Sequence, residues 1–335
     1  MFLFFYSSGV ILSALYRTEH IRNGNNFFMV HGILFGLTAA LLMSLSYIFS
    51  KRFMLIHGSP FLLTLYAVLA QGVAGVILLV LVFPRFSWSF DWRTVLIATG
   101  AVAGNIFGNF SFFRTLKEVE ASRLSSLLGL KIATLALICM LILRQQVNWL
   151  QWVAVLMATI AAVGMNFTGG KITLKAAFWL FMTLLGYSLG DLAGTALLDA
   201  FLLMGKEGTS RLIASFASVS TTAFFTAIVM APLLLLKRVP KRFKMLQDAS
   251  YYGLIWFTSL LFLFDCFSSV GVVYGSILQA ARGVISVVIG AILLKMGFRD
   301  YEPRVGFSAW VRRLIMALLM AGAMAVYAIA KTMSQ

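Results

Sequence analysis

Apolar runs of about 20 residues, separated by short polar stretches, recur along the whole chain. A run of that length matches the thickness of a bilayer core, so each is read as a membrane-spanning helix. Ten such spans are predicted, at roughly 29–50, 60–83, 94–113, 121–143, 149–168, 174–200, 209–236, 251–273, 276–295 and 309–331. Residues 1–16 are apolar but short, and the polar stretch 17–26 follows them. No positive residue precedes the apolar run, which makes it a poor signal peptide. Residues 1–28 are therefore read as an N-terminal extension or an over-long start, with an eleventh short or interfacial helix as the alternative.

The spans divide into two groups of five, residues 29–168 and 169–335, joined at Gly169-Gly170-Lys171. An odd number of spans per half makes the second half enter the membrane from the opposite side. A twin pair of segments supports the duplication. Shifted by 151 positions, SSLLGLKIATLALICMLILR (125–144) lies on SILQAARGVISVVIGAILLK (276–295). Ser125 then meets Ser276, Lys131 meets Arg282, and Arg144 meets Lys295. A weaker match sets Leu41-Leu42 before Ser44 beside Leu184-Leu185 before Tyr187. The predicted fold class is an all-α membrane protein of ten transmembrane helices in two inverted five-helix repeats, with an apolar N-terminal extension.

Composition strengthens the membrane reading. The chain is 61% hydrophobic and 11% charged, against about 25% charged in soluble domains. A net charge of +16 could suggest nucleic acid, but Lys and Arg cluster in the loops between spans, where they help set orientation. Nucleic acid is not an expected partner. The loops carrying Lys51, Arg52, Lys237, Arg238, Lys241 and Arg242 lie on the more basic side, which the positive-inside rule places in the cytoplasm. Cys139 and Cys266 do not correspond under the repeat, and His20, His31 and His57 lack metal-site spacing. No disulfide, metal site or cofactor is expected.

The candidate chemistry lies inside the spans, where an ionisable side chain is costly. Lys131 and Thr134 share a face of the fourth span, as do Gln279, Arg282 and Ser286 of the ninth. Asp191 sits in a stripe with Tyr187 and Thr195, Asp265 shares a face with Thr258 and Ser269, and Asn109 is added as a lining residue. Arg282 is expected six residues into its helix, about 9 Å deep at 1.5 Å per residue, with Lys131 approaching from the other side. Two converging cations would suit a phosphate or carboxylate, bound bidentately by Arg282. Internal ion pairs, Lys131 with Asp191 and Arg282 with Asp265, are the main alternative, and outward snorkelling is a third. Asp191 and Asp265 are the candidates for protonation and coupling. Small-residue ladders at Gly100/Gly104/Gly108 and Gly186/Gly190/Gly194 mark close helix packing, static rather than moving.

The segment 121–165, its counterpart 275–296 and the ten-span repeat resemble the drug/metabolite transporter superfamily in its ten-helix EamA-like form. The resemblance covers roughly residues 29–331. Members commonly have Pro where Lys131 and Arg282 stand and Glu after the fourth span, where this chain has Gln145-Gln146. Basic residues on the fourth and ninth spans are similar to the anion-binding positions of the sugar-phosphate translocator branch. That likeness implies phosphate binding by Lys131 and Arg282. Membership also implies cytoplasmic termini, against the loop charges, so orientation stays open.

The expected function is secondary transport of a small polar, anionic or phosphorylated metabolite by alternating access, in the cell (inner) membrane. Export of amino acids, drugs or cationic or neutral metabolites, coupled through Asp191 and Asp265, is the alternative. A membrane enzyme ranks below both, because no histidine is placed to work with the buried acids, and a lipid flippase or a subunit of a larger assembly also ranks below them. The absence of a Walker A loop argues against a built-in ATP motor. Expected partners are the small-molecule substrate and the bilayer, with a homodimer left open.

Overall fold

A computed structural model describes residues 26–88, 91–116, 127–141, 144, 146–165, 172–236, 239–240, 242–295 and 307–333. Regular structure among them is helical. The exception is one isolated antiparallel bridge between Phe86 and Gly205. The expected joint at Gly169-Gly170-Lys171 and the N-terminal extension up to residue 25 lie outside the described residues.

Helix ends follow local chemistry. Helix α1 (Asn26–His57) runs two turns beyond its predicted end and stops at Gly58, whose φ of +67° suits the left-handed exit from a helix. Ser59 then caps α2 (Pro60–Val82) by accepting a hydrogen bond from Leu62 N at 3.3 Å, with Pro60 preset for the first turn. A 3-10 turn, Phe83–Arg85, leads to α3 (Trp92–Leu116). A second, Leu128–Leu130, runs directly into α4 (Lys131–Leu141). Helix α5 is Trp149–Met165. Thr173 caps α6 (Leu174–Met204), and Ser210 caps α7 (Arg211–Met230). Pro232 sits in the 3-10 turn Ala231–Leu235 that ends the seventh span. Helix α8 (Phe243–Val270) starts two turns earlier than the apolar run suggests, because its first turns carry Lys244, Gln247 and Asp248.

The ninth span departs from the single helix predicted at 276–295. It starts immediately after Gly271, whose φ of +91° only glycine adopts readily. It is divided at Ala281 into α9 (Val272–Ala280) and α10 (Arg282–Lys295). Ser44 of α1 reaches this joint, its hydroxyl donating to Arg282 O at 2.9 Å. The last helix is α11 (Phe307–Met333).

Seven of the described helices are long and apolar enough to cross a membrane, and three shorter apolar helical stretches, Leu128–Leu141, Trp149–Met165 and Val272–Ile285, accompany them. Large apolar side chains such as Val73, Val80, Leu141 and Leu318 stay exposed on outer faces, as a hydrocarbon solvent requires. The chain is an integral, multi-pass membrane protein.

The packing has an internal order. The most extensive contacts join α3 to α6 and α1 to α8, followed by α2 to α7 and α5 to α11. With α9 and α10 taken as one ninth span and α11 as the tenth, the pairs are third–sixth, first–eighth, second–seventh and fifth–tenth. Advancing every span by five positions maps this set onto itself. The two glycine ladders meet face to face. A Cβ on Gly104 would lie 2.7 Å from the Gly190 backbone, and one on Gly186 would lie 2.7 Å from Gly108 N. Bare backbone therefore holds α3 against α6.

Candidate functional site

A cavity of about 230 Å³ lies inside the helix bundle. Its lining comes from the second half of α1 (Tyr47), the first half of α2 (Thr64, Gln71), the middle of α3 (Asn105, Asn109), α6 (Tyr187, Asp191) and α8 (Tyr252, Trp256). Lys131, Gln279 and Arg282 complete it. A smaller cavity of about 90 Å³ shares Tyr47, Lys131, Gln279 and Arg282, and adds Ser276 and Gly283. The two cations thus stand where the cavities adjoin.

Their local settings match. Lys131 is the first residue of α4, straight after a 3-10 turn, and Arg282 is the first residue of α10, straight after the break at Ala281. Because the ninth span begins at Val272, Arg282 lies ten residues inside it rather than the expected six. At 1.5 Å per residue that is about 15 Å, half of a hydrocarbon core of about 30 Å.

The charges divide unequally. Lys131 Nζ forms an ion pair with Asp191 Oδ2, both side chains being largely buried. Among the described residues no carboxylate lies within ion-pair distance of Arg282. Its guanidinium rests 5.8 Å from the Tyr47 ring centre and 3.9 Å from Met43 Sδ. Tyr47 in turn packs edge-on against Trp256, with ring centres 5.9 Å apart. Gln279 Nε2 also donates to Met43 Sδ at 3.4 Å, a weak acceptor that leaves the amide free to take a better one. On the opposite wall Tyr187 Oη donates to Asn109 Oδ1 at 3.0 Å, and Asn109 Nδ2 donates to Asn105 Oδ1 at 2.7 Å.

The structure brings Lys131, Arg282, Gln279, Tyr187, Asn109 and Asp191 to one cavity. It does not bring Thr134, whose hydroxyl donates to Leu130 O at 3.1 Å in the 3-10 turn just before its helix. The Ser286 side chain lies outside the described residues. Asp265 is also elsewhere. The expected pair with Arg282 is replaced by His31, with Nε2 3.0 Å from Asp265 Oδ2. The physical reason is placement: Asp265 is one turn from the end of α8, beside the start of α1, whereas Arg282 is at mid-depth. Sequence reasoning missed His31, and it missed the aromatic wall of Tyr47, Tyr252 and Trp256. Aromatic residues inside an apolar span give no signal of which way they face.

Residues 30–167 match the EamA-like transporter family. That stretch is EamA-like. The membrane-length helices make the chain a multi-pass membrane protein, and the match over residues 30–167 is consistent with the drug/metabolite transporter superfamily. The EamA-like stretch supplies Tyr47, Asn109 and Lys131, while Asp191, Trp256, Gln279 and Arg282 lie beyond it. A crystal structure described only as that of a protein has the same fold, with a TM-score of 0.64 and 16% identity over 91% of this chain and 99% of the other. No curated protein matches the chain.

Proposed function

We propose that this EamA-like chain is a secondary transporter with ten membrane crossings in two inverted halves, carrying a small anionic metabolite by alternating access. One observation carries the reading: Arg282 faces a mid-membrane cavity with no carboxylate partner among the described residues, while the neighbouring Lys131 is already paired with Asp191. A buried guanidinium without a counter-ion is costly unless something completes it. A phosphate or carboxylate would do so with paired hydrogen bonds. Gln279 and the Tyr187–Asn109 pair would then contact the polar remainder of the substrate, and Tyr47 and Trp256 its apolar or planar faces. A cationic substrate would compete with Lys131 for Asp191 and meet the unpaired Arg282, so the cavity favours anions.

The self-mapping packing of the spans supports an inverted duplication, which permits one arrangement to open to either side. The lining positions lie in the half of the membrane nearer the helix ends that carry Lys51, Arg52, Arg114 and Lys244. By the positive-inside rule that half adjoins the cytoplasm of the inner membrane. The test is exchange of radiolabelled phosphate esters and carboxylates in proteoliposomes. Wild type should exchange at least one of these anions and Arg282→Gln none; equal exchange by both would refute the assignment.

A further inference from the structure

We propose that His31 and Asp265 form a proton-binding site at the interface of α1 and α8, outside the substrate cavity, and that the proton is the ion coupled to transport. The second clause rests on the transport reading above; the first stands on geometry. Asp265 is fully buried. One of its oxygens meets His31, and the other, Oδ1, has no hydrogen-bond partner among the described residues. The His31 side chain is 36% exposed, which gives a proton a route to the carboxylate.

The other charged groups around this end of α8 come from separate helices. Arg211, at the start of α7, acts on the Asp265 carboxylate electrostatically. Asp199 of α6 accepts from Ser268 at 3.4 Å, and Lys331 of α11 donates to Val270 O at 2.6 Å. Helices α2 and α9, also packed on α8, contain no charged residue.

The pair sits at the end of a tight contact. A Cβ on Gly32 would lie 2.6 Å from Val270 Cγ1, and one on Gly36 would lie 2.8 Å from Cys266 Sγ and 2.9 Å from Leu278 Cδ1 of α9. Further along α1, Met43, Ser44 and Tyr47 cradle Arg282. One helix therefore joins the proton site to the anion site. Protonating Asp265 removes the charge that holds His31 and loosens α1 from α8. That in turn shifts the cradle of Arg282. Both sites bias the same rigid element, which is the physical requirement for coupling.

Cys266 reports the interface directly, being fully buried and next to Asp265. Full-length protein carrying Cys139→Ser would be labelled with dithiodipyridine between about pH 8 and pH 5.5, an interval in which buried carboxylates can take up a proton. Rates are normalised to unfolded protein at each pH. Labelling of Cys266 should rise severalfold on acidification. Asp265→Asn should abolish the rise, and His57→Gln, at the opposite end of α1, should keep it. No rise in the parent protein, or an undiminished rise in Asp265→Asn, would overturn the proposal.

Should Asp265→Asn not survive purification, histidine-labelled protein gives a second reading. The resonance removed by His31→Gln should change over the same pH interval as the labelling; a resonance constant over that interval would overturn the proposal. Labelling needs no transport. A pH-dependent interface in a protein that exchanges no anion would refute the transport reading alone, and anion exchange with a pH-independent interface would refute the proton site alone.

Discussion

Lys131 and Asp191, 60 positions apart in the chain, close an ion pair between α4 and α6. It neutralises one of the two mid-membrane cations and leaves Arg282 as the one facing the cavity without a carboxylate partner among the described residues. The shared position of Lys131 and Arg282 at a helix start makes the difference between them a matter of partners rather than of backbone.

Breaking that pair from one side strands a buried charge. Asp191→Asn should lower stability in detergent by about 3 kcal/mol, whereas Lys131→Met with Asp191→Leu should recover most of the loss. Thermal unfolding of the three proteins checks this. Asp191→Asn should also strengthen anion binding, because it frees Lys131.

The glycine ladders should respond by position. Gly104→Ala places a methyl 2.7 Å from the Gly190 backbone, which cannot turn aside, so a loss of about 1–3 kcal/mol is expected. Gly100→Ala meets only Ala193 Cβ at 3.6 Å, an ordinary contact, and should be close to neutral. Their melting temperatures in detergent should separate accordingly.

Gly271 tests backbone strain without crowding. An added Cβ would meet nothing within 4 Å, yet φ is +91°. Gly271→Ala should therefore cost about 1–3 kcal/mol through conformation alone. Because this residue sets where the ninth span begins, the substitution should also weaken anion binding at Arg282, measurable by titration.

Asp91 gives the pH dependence outside the membrane. Its Oδ1 accepts from Thr94 N at 2.8 Å and Thr94 Oγ1 at 2.6 Å, and these bonds hold its carboxyl below the ordinary carboxylate range. A group with a lowered folded-state pKa contributes stability above its unfolded pKa and loses that contribution as pH falls through the folded value. Asp91→Ala should cost about 1 kcal/mol at neutral pH, the usual worth of a helix cap. The difference from wild type should shrink below about pH 4. Chemical unfolding at neutral and acid pH checks both statements.

Much of the membrane character was legible in the sequence, because apolar runs report span length directly. Lys131 and Arg282 were legible for the same reason: a cation inside an apolar run has no ordinary explanation. Glycine spacing announced close packing, but not that Gly104 would meet Gly190, since the partner helix leaves no mark on the ladder itself. The His31–Asp265 and His57–Asp248 pairs were invisible, their partners lying 234 and 191 residues apart. Thr134 shares a helix face with Lys131, but its hydroxyl bonds local backbone, as a threonine inside a helix readily does. The break at Ala281 escaped notice because neither Ala281 nor Arg282 is a helix breaker; Ser44 of α1, which bonds Arg282 O, is remote in sequence.

The most direct measurement is the melting temperature of the purified protein with phosphate esters, carboxylates, neutral sugars and amines, for wild type and Arg282→Gln. A ligand that binds the native state raises its apparent stability. At least one anion should raise the melting temperature of wild type by several degrees and leave Arg282→Gln unmoved. Stabilisation by amines alone, or an equal anion response in Arg282→Gln, would contradict the account.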